Sequence, residues 1–226
     1  MITKIQIILT EDGSHTLIHL ELDESYHSVH GAIQESEHIF IQTGFREAAR
    51  NNKAISLLEV GFGTGLNALL TLNEIIDTDT DIDVHYTALE PFPISENLAA
   101  DLNYPQLISN AALESEFRLM HHVKKSVQLK LNPRFMLEKH RMRLQDFEGE
   151  PNSFNLIYYD AFSPEKAPEM WEAAIFNQLY QLMQPGGILV TYCARGAVRR
   201  AMQHAGFVVE RLAGPPGKRE ILRAIK

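Results

Sequence analysis

One cysteine, Cys193, is the chain's whole stock of thiol. That excludes an intramolecular disulfide framework and any cysteine-based metal site. In its apolar run, Cys193 reads as a small buried hydrophobe. Long hydrophobic runs are missing too: none reaches the roughly 18 residues of a membrane span. The opening stretch, Met1 to Thr10, is too short and too polar for a signal peptide and reads as a strand. Positive charge is scarce, with 21 Lys and Arg against 29 Asp and Glu and a net charge of −8. A protein held on nucleic acid by overall charge would not look like this. Repeats, low-complexity tracts and a domain-splitting linker are absent. The expectation is one cytoplasmic chain of 226 residues around one core, with no membrane and no metal.

What is present is order along the chain. Ile5, Ile7 and Leu9 alternate with polar residues, Glu11–Ser14 supplies a turn, and Leu17 to Leu22 returns as a hairpin partner. Residues 31–50 have helical spacing. After residue 50 strands and helices alternate. Strands are expected at 54–61, 84–90, 134–142, 154–160 and 187–193. Helices are expected at 66–76, within 94–130, at 168–183 and at 196–205. Two last strands, 207–212 and 220–225, lack a helix between them and read as an antiparallel pair. Repeated strand-then-helix order implies an α/β, doubly wound, mostly parallel sheet. The division expected is a hairpin-and-helix extension over 1–50 packed on a main domain over 51–226.

The sharpest local signal is the run Glu59 to Asn67, which reads E-V-G-F-G-T-G-L-N after an apolar strand and opens a helix. A dinucleotide fold wants G-x-G-x-x-G. Gly61 and Gly63 fit its first two places, but the third falls on Leu66 and the glycine stands one place early, at Gly65. The E-x-G-x-G-x-G spacing resembles the first motif of Rossmann-like methyltransferases, where the loop wraps the methionine part of S-adenosylmethionine. Glu59, Gly61, Gly63, Thr64, Gly65 and Asn67 are the candidate cofactor residues. Glu90 ends the next strand where a ribose diol needs a two-point acceptor. Asp146, beside Gln145, follows the proposed third strand and is the candidate acceptor for the adenine amino group. Asp160 ends the fourth strand, beside the expected methyl group. Strand alternation puts Leu156, Tyr158 and Asp160 on one side and Ile157 and Tyr159 on the other.

These pieces extend to a wider resemblance. Tyr26-His27-Ser28, Gly31, Glu35-Ser36 and Phe40 precede the glycine loop, and Asp160-Ala-Phe-Ser-Pro164 and Met170-Trp171 follow it. Pro185-Gly-Gly187, Val198-Arg-Arg200, Ala205-Gly-Phe207 and Gly217-Lys-Arg-Glu220 come last. From about residue 25 onward the chain resembles the methyltransferase domain of the bacterial enzymes that make 5-methylaminomethyl-2-thiouridine at the wobble position of tRNA. It departs at Ala161 and Ser163, where the family often has Gly and Ala, and in its stiffer loop Gly214-Pro-Pro-Gly217.

The resemblance implies a class I fold, S-adenosylmethionine as cofactor, and the primary amine of a modified uridine in the tRNA anticodon loop as acceptor. Some members carry a flavin-dependent oxidase domain that prepares the amine. The chain ends at Lys226, so that activity is expected to be absent or to reside in another protein, a separate enzyme that would supply the aminomethyl precursor. Asp160 would orient the amine and stabilise its growing charge rather than act as a base, since an alkylamine's pKa lies about 6 units above that of Asp. Tyr26 and Ser28 join it on the acceptor side. Phe162, Tyr158 and Trp171 are aromatic candidates for stacking the splayed base, Phe162 first among them. Eight Lys and Arg fall between Arg195 and Lys226, against Glu210 and Glu220. Of these Arg199, Arg200, Lys218 and Arg219 are expected on tRNA phosphates. A methyltransferase or aminopropyl transferase on a small amine is the nearest alternative. A noncatalytic RNA-binding module is the alternative of another class.

Overall fold

The computed structural model describes residues 5–78, 81–108, 110, 113–122 and 127–226. The expected strand character of the first four residues, and parts of the helical reading around 109–126, lie outside them. Strands β1 (Ile5–Leu9) and β2 (His15–His19) pair antiparallel across the expected turn, and the short β3 (Glu24–Ser25) joins β2. The helical stretch over 31–50 is present in three consecutive pieces: α1 (Ala32–Ser36), a π-helical run (Glu37–Phe45) and α2 (Arg46–Ala49).

One side chain ties the hairpin to this stretch. The turn residue Asp12 accepts from the Ser14 N–H at 2.9 Å and, through its other oxygen, from the Gln34 N–H at 2.9 Å. It thereby satisfies a donor of the first turn of α1, which lacks a cap of its own. Asp12→Ala is expected to lower unfolding free energy by about 1–2 kcal/mol. Burial raises the Asp12 pKa, but hydrogen bonds from Ser14 and Gln34 outweigh it and hold the group below its ordinary value. The contribution is therefore present above about pH 3.9 and lost as pH falls below that. Urea melts of both forms at pH 7 and pH 3 check this; equal stability at pH 7 would remove Asp12 from the account.

The main sheet follows. Its strands are β4 (Ala54–Val60), β5 (Asp83–Leu89), β6 (Gln128–Asn132), β7 (Phe135–His140), β8 (Phe154–Tyr159), β9 (Met183–Thr191), β10 (Val208–Ala213) and β11 (Glu220–Ile225). Its helices are α3 (Leu66–Asp77), α4 (Glu96–Ala100), α5 (Tyr104–Ile108), α6 (Leu113–His122), α7 (Ala173–Leu182) and α8 (Gly196–Ala205). The spatial order is β10-β11-β9-β8-β4-β5-β7-β6, with the five central strands parallel and β6, β10 and β11 antiparallel to their neighbours.

Two expectations need correction. Residues 128–130 are not helical: they pair with β7 as an edge strand, their Gln-Leu-Lys-Leu alternation being a period of two. The helix expected over 168–183 is interrupted. Pro168–Trp171 forms a 3-10 turn, Glu172 is extended, and Met183 already opens β9.

The sheet separates two cores. Leu57, Leu156 and Tyr158 pack under α3, α5 and the π-helical run, in one cluster with Leu17, Phe40 and Phe45 of the first fifty residues. Leu58, Ile157 and Tyr159 face the other way, against Phe176 of α7 and Met202 of α8. This is the alternation read along the fourth strand. The chain runs outward from β4 to β5 and β7, then returns to the other flank of β4 as β8. That reversal between β4 and β8 is where ligands bind in doubly wound sheets. No described helix is long and apolar enough to cross a membrane, and no described group of three or more His, Cys, Asp or Glu is placed to hold a metal.

Candidate active site

The carboxyl ends of β4 and β8 meet through one rung, where the Asp160 N–H donates to the Val60 carbonyl at 3.0 Å. The glycine loop leaves β4 at this point. Gly61 has φ +93°, and a Cβ placed there would lie 2.4 Å from the Asp160 carbonyl oxygen. A cavity of about 1160 Å³ opens above the rung, lined at one end by Gly61, Gly63, Thr64 and Glu90 and at the other by Asp160, Phe162, Tyr26 and Ser28.

At the first end, Glu90 organises the loop. One of its oxygens accepts from the Gly63 N–H and the other from the Phe92 N–H, each at 2.8 Å. Each oxygen keeps a second lone pair for a diol. Phe92, 71% exposed, stands beside it on the cavity lining. Gly63 has φ +49°, and a side chain there would first meet the Tyr26 ring, at 3.1 Å. Thr64 is gripped from two sides: its hydroxyl pairs with His27 Nε2 at 2.8 Å, and its carbonyl with His121 Nε2 at 3.0 Å.

Burial drives the His27 pKa down to about 4; burial and the Lys139 charge drive that of His121 down to about 3. Both rings are neutral in the folded protein and titrate near 6.5 when unfolded. Their depressed folded values make stability complete above about pH 6.5 and erode it as pH falls toward 4. The melting temperature is expected to drop between pH 7 and 5, with a shallower slope in His27→Gln. An unchanged slope in that variant would mean His27 titrates freely.

Four candidate cofactor residues are off the cavity lining, three of them behind it. Gly65 is the left-handed residue that starts α3, at φ +76°. Glu59 is fully buried, and burial pushes its carboxyl pKa well up. The Asn67 amide donates to Glu59 at 3.0 Å and to Asp160 Oδ2 at 2.9 Å, so these two hold the acceptor-side acid from below. Asp146 is exposed on the 3-10 turn and off the lining, where Leu144 and Gln145 stand in its place.

At the other end, burial and the Glu35 charge push the Asp160 pKa up to about 7, against the pull of Asn67 and Lys218. Tyr26 meets Phe162 edge to face, centroids 5.2 Å apart. The loop carrying Phe162 is pinned at Ser163, whose N–H and hydroxyl donate to the two oxygens of Glu24, at 2.9 and 3.0 Å. Trp171 and Tyr158 are core. The Trp171 indole donates to the Phe162 carbonyl at 2.7 Å, and the Tyr158 hydroxyl sits 3.2 Å from that of Thr71 on the opposite face of the sheet.

The basic carboxyl-terminal stretch is mostly spent internally. Arg195, Arg211 and Arg223 are ion-paired, and the Lys226 ammonium donates to two backbone carbonyls. Lys218 lies 3.2 Å from Glu35 and 4.9 Å over the Tyr192 ring, so it faces the cavity and not an external phosphate. Arg199 is half-buried in α8, while Arg200 and Arg219 are exposed. Composition gave no sign that the exposed Arg141, Arg143 and Lys166 also line the cavity, with the acid Glu169 among them. His27 and Glu35 belong to the pieces that carry the resemblance but have no site role from sequence, and Glu24 reads as an ordinary polar residue of a turn.

A family model for S-adenosyl-L-methionine-dependent methyltransferases matches residues 106–226. The chain belongs to that family. Two relatives carry the name tRNA 5-methylaminomethyl-2-thiouridine biosynthesis bifunctional protein MnmC. The one from Idiomarina loihiensis is 29% identical over 88% of this chain and 35% of its own length. The one from Burkholderia mallei is 30% identical over 96% of this chain and 34% of its own. The methyltransferase chain thus spans about a third of the length of these relatives. A solved structure of MnmC2 from Aquifex aeolicus superimposes with a TM-score of 0.78 at 27% identity, covering 99% of this chain and 70% of that one. A probable spermidine synthase from Corynebacterium glutamicum, at TM-score 0.52 and 15% identity over 98% of this chain and 76% of that one, shares the fold.

In a methyltransferase the cavity has a direct reading. Gly61, Gly63 and Thr64 give backbone approach without side-chain bulk, and Glu90 presents a carboxylate with spare lone pairs. Those features fit the amino-acid and ribose parts of S-adenosyl-L-methionine.

Proposed function

We propose that the chain methylates the primary amine on the 5-substituent of a wobble uridine in tRNA, forming 5-methylaminomethyl-2-thiouridine. The observation that carries this is the single cavity joining the Gly61–Glu90 end to Asp160, Phe162 and Tyr26. The names of the MnmC relatives supply the substrate class. When bound, S-adenosyl-L-methionine supplies a methyl group that passes to the amine nitrogen as the carbon–sulfur bond breaks with its electrons left on sulfur.

Asp160 accepts the amine's N–H groups and so fixes the direction of its lone pair. Its charge gains attraction as nitrogen turns positive, favouring the transition state over the neutral amine. A pKa of about 7 brings it nearer the amine than an ordinary Asp, but still far below, so the surplus proton leaves to water. Phe162 and Tyr26 flank a base turned out of the anticodon loop. Arg141, Arg143 and Lys166 on the cavity lining, together with the exposed Arg200 and Arg219, meet tRNA phosphates. The division we propose is an extension over 1–50 and a catalytic domain over 51–226, and the described part of the extension lends Glu24, Tyr26, His27, Ser28 and Glu35 to the cavity. A separate enzyme provides the aminomethyl precursor.

The test is transfer of labelled methyl to tRNA carrying the aminomethyl group, with nucleoside analysis, against small alkylamines in parallel. Label in the amines and none in tRNA would replace this reading with the small-amine one. A second result is expected from Arg200→Glu with Arg219→Glu. Affinity for tRNA should fall and its log–log salt slope should shrink by about one per lost phosphate contact, while calorimetric cofactor binding stays as in the parent. An unaltered slope would place the tRNA elsewhere.

A further inference from the structure

Glu35 is an uncommon residue in α1. It is 7% exposed, yet it lines the cavity beside Asp160, Ser28, Tyr192 and Lys218. Its Oε2 accepts from the Ser28 N–H at 2.7 Å. Its Oε1 is buried and takes no hydrogen bond among the described residues; what faces it is the Lys218 ammonium at 3.2 Å. That ammonium in turn lies over the Tyr192 ring, whose hydroxyl donates to the Ala161 carbonyl at 2.9 Å, next to Asp160. Glu24, the other acid nearby, is committed to Ser163.

Beside Glu24, whose two oxygens are taken by Ser163, this end of the cavity holds two further carboxylates, Glu35 and Asp160, and the Lys218 ammonium. A buried carboxylate is costly unless a cation or donor completes it, and for Glu35 that cation is Lys218. One resident cation leaves the set short by one positive charge, and a further alkylammonium would balance it.

We infer that Glu35 is a specificity-determining residue: with Asp160 it forms a two-carboxylate pocket for a cationic alkylamine, and Lys218 is the resident cation that keeps Glu35 paired. The inference rests on the amine-methylating reading and adds to it. Glu35 would select the charged acceptor on arrival, and Asp160 would act on the neutral amine once its proton has left. The two tasks need different carboxylates, because an acid that holds the cation too firmly disfavours loss of the proton.

The experiment measures binding of two anticodon stem-loops to enzyme saturated with S-adenosylhomocysteine, one with 5-aminomethyluridine at the wobble position and one with plain uridine. The parent protein is expected to prefer the aminomethyl form by about tenfold or more, the scale of one charge-assisted hydrogen bond. Glu35→Gln keeps the acceptor for the Ser28 N–H and should bring that preference close to one, with Glu35→Asp restoring part of it. Lys218→Met removes the competing cation and should raise the preference, which keeps the test open if the Glu35 variants fold poorly.

Equal weakening of both stem-loops in Glu35→Gln would make Glu35 a structural residue and overturn the inference. A lower preference in Lys218→Met would overturn it as well. Failure of the amine reading has a different signature: parent enzyme that neither prefers nor methylates the aminomethyl stem-loop, which removes both proposals.

Discussion

Asp160→Ala is expected to lower the rate of methyl transfer by at least about 100-fold and to leave cofactor affinity as it was. The side chain belongs to the acceptor end of the cavity, and its Oδ2 is held by the Asn67 amide at 2.9 Å. Its backbone, not its carboxylate, meets the glycine loop: the N–H pairs with Val60, and the carbonyl lies against Gly61. Truncation to Ala keeps both backbone contacts, so the loop keeps its shape. What is lost is the charge whose attraction grows as the amine nitrogen becomes positive, an effect confined to the transition state. Asp160→Asn should fall between, since its amide oxygen still accepts an N–H. Because burial and Glu35 place the Asp160 pKa near 7, the charged form dominates above that value and fades below it. The parent's rate should therefore drop as pH falls through about 7, together with the loss of neutral amine. Single-turnover transfer at saturating tRNA, alongside cofactor calorimetry, is the measurement. An Ala variant with parental turnover would free Asp160 of any part in the chemistry.

Gly61→Ala should be the more damaging change, although it adds one methyl group. At φ +93° an L side chain is strained, and the added Cβ would stand 2.4 Å from a backbone oxygen. That oxygen belongs to the chain just beyond β8, and the adjacent rung ties it to Val60, so it has little room to retreat. Strain of about 1–3 kcal/mol and overpacking of about 1–3 kcal/mol act together. The expected result is a marked fall in melting temperature and no calorimetric signal with S-adenosyl-L-methionine. Gly186→Ala is the control: it shares a positive φ of +77°, but a Cβ there meets nothing within 4 Å, so only the strain remains. If both variants melt alike, the close approach of the two strand ends is not what Gly61 serves.

Much of the fold was legible in the sequence because apolar alternation and glycine punctuation are local signals. Strand β8 and the sides taken by Leu156, Ile157, Tyr158 and Tyr159 follow from a period of two. Edge strand β6 was hidden because Gln128 to Asn132 is short and polar enough to pass as the tail of a helix. On the site, glycine spacing led to the loop, and strand ends led to Glu90 and Asp160. Asp146 was placed by analogy of position, and the 3-10 turn rotates it outward while Gln145 takes the lining. Lys218 was counted among external cations because charge runs carry no direction. Its partner Glu35 lies far away in the sequence, and nothing local announces such a pair. His27 and Glu24 escaped for the same reason: each acts across a long loop closure, on Thr64 and on Ser163.

The rung between Val60 and Asp160, at the carboxyl end of the β4–β8 ladder, also bears on how the protein acquires activity. It joins segments about a hundred residues apart, in a parallel pairing that no hairpin can initiate. Loop closure of that length is paid late, after local helices and the amino-terminal hairpin have had time to form. Before it closes, the Gly61 and Phe62 N–H groups can already reach the Leu89 carbonyl of β5, but the acceptor acid has no fixed place beside the loop. Refolding chains should therefore regain methyl transfer only once β4 and β8 have paired, with no earlier species competent for it.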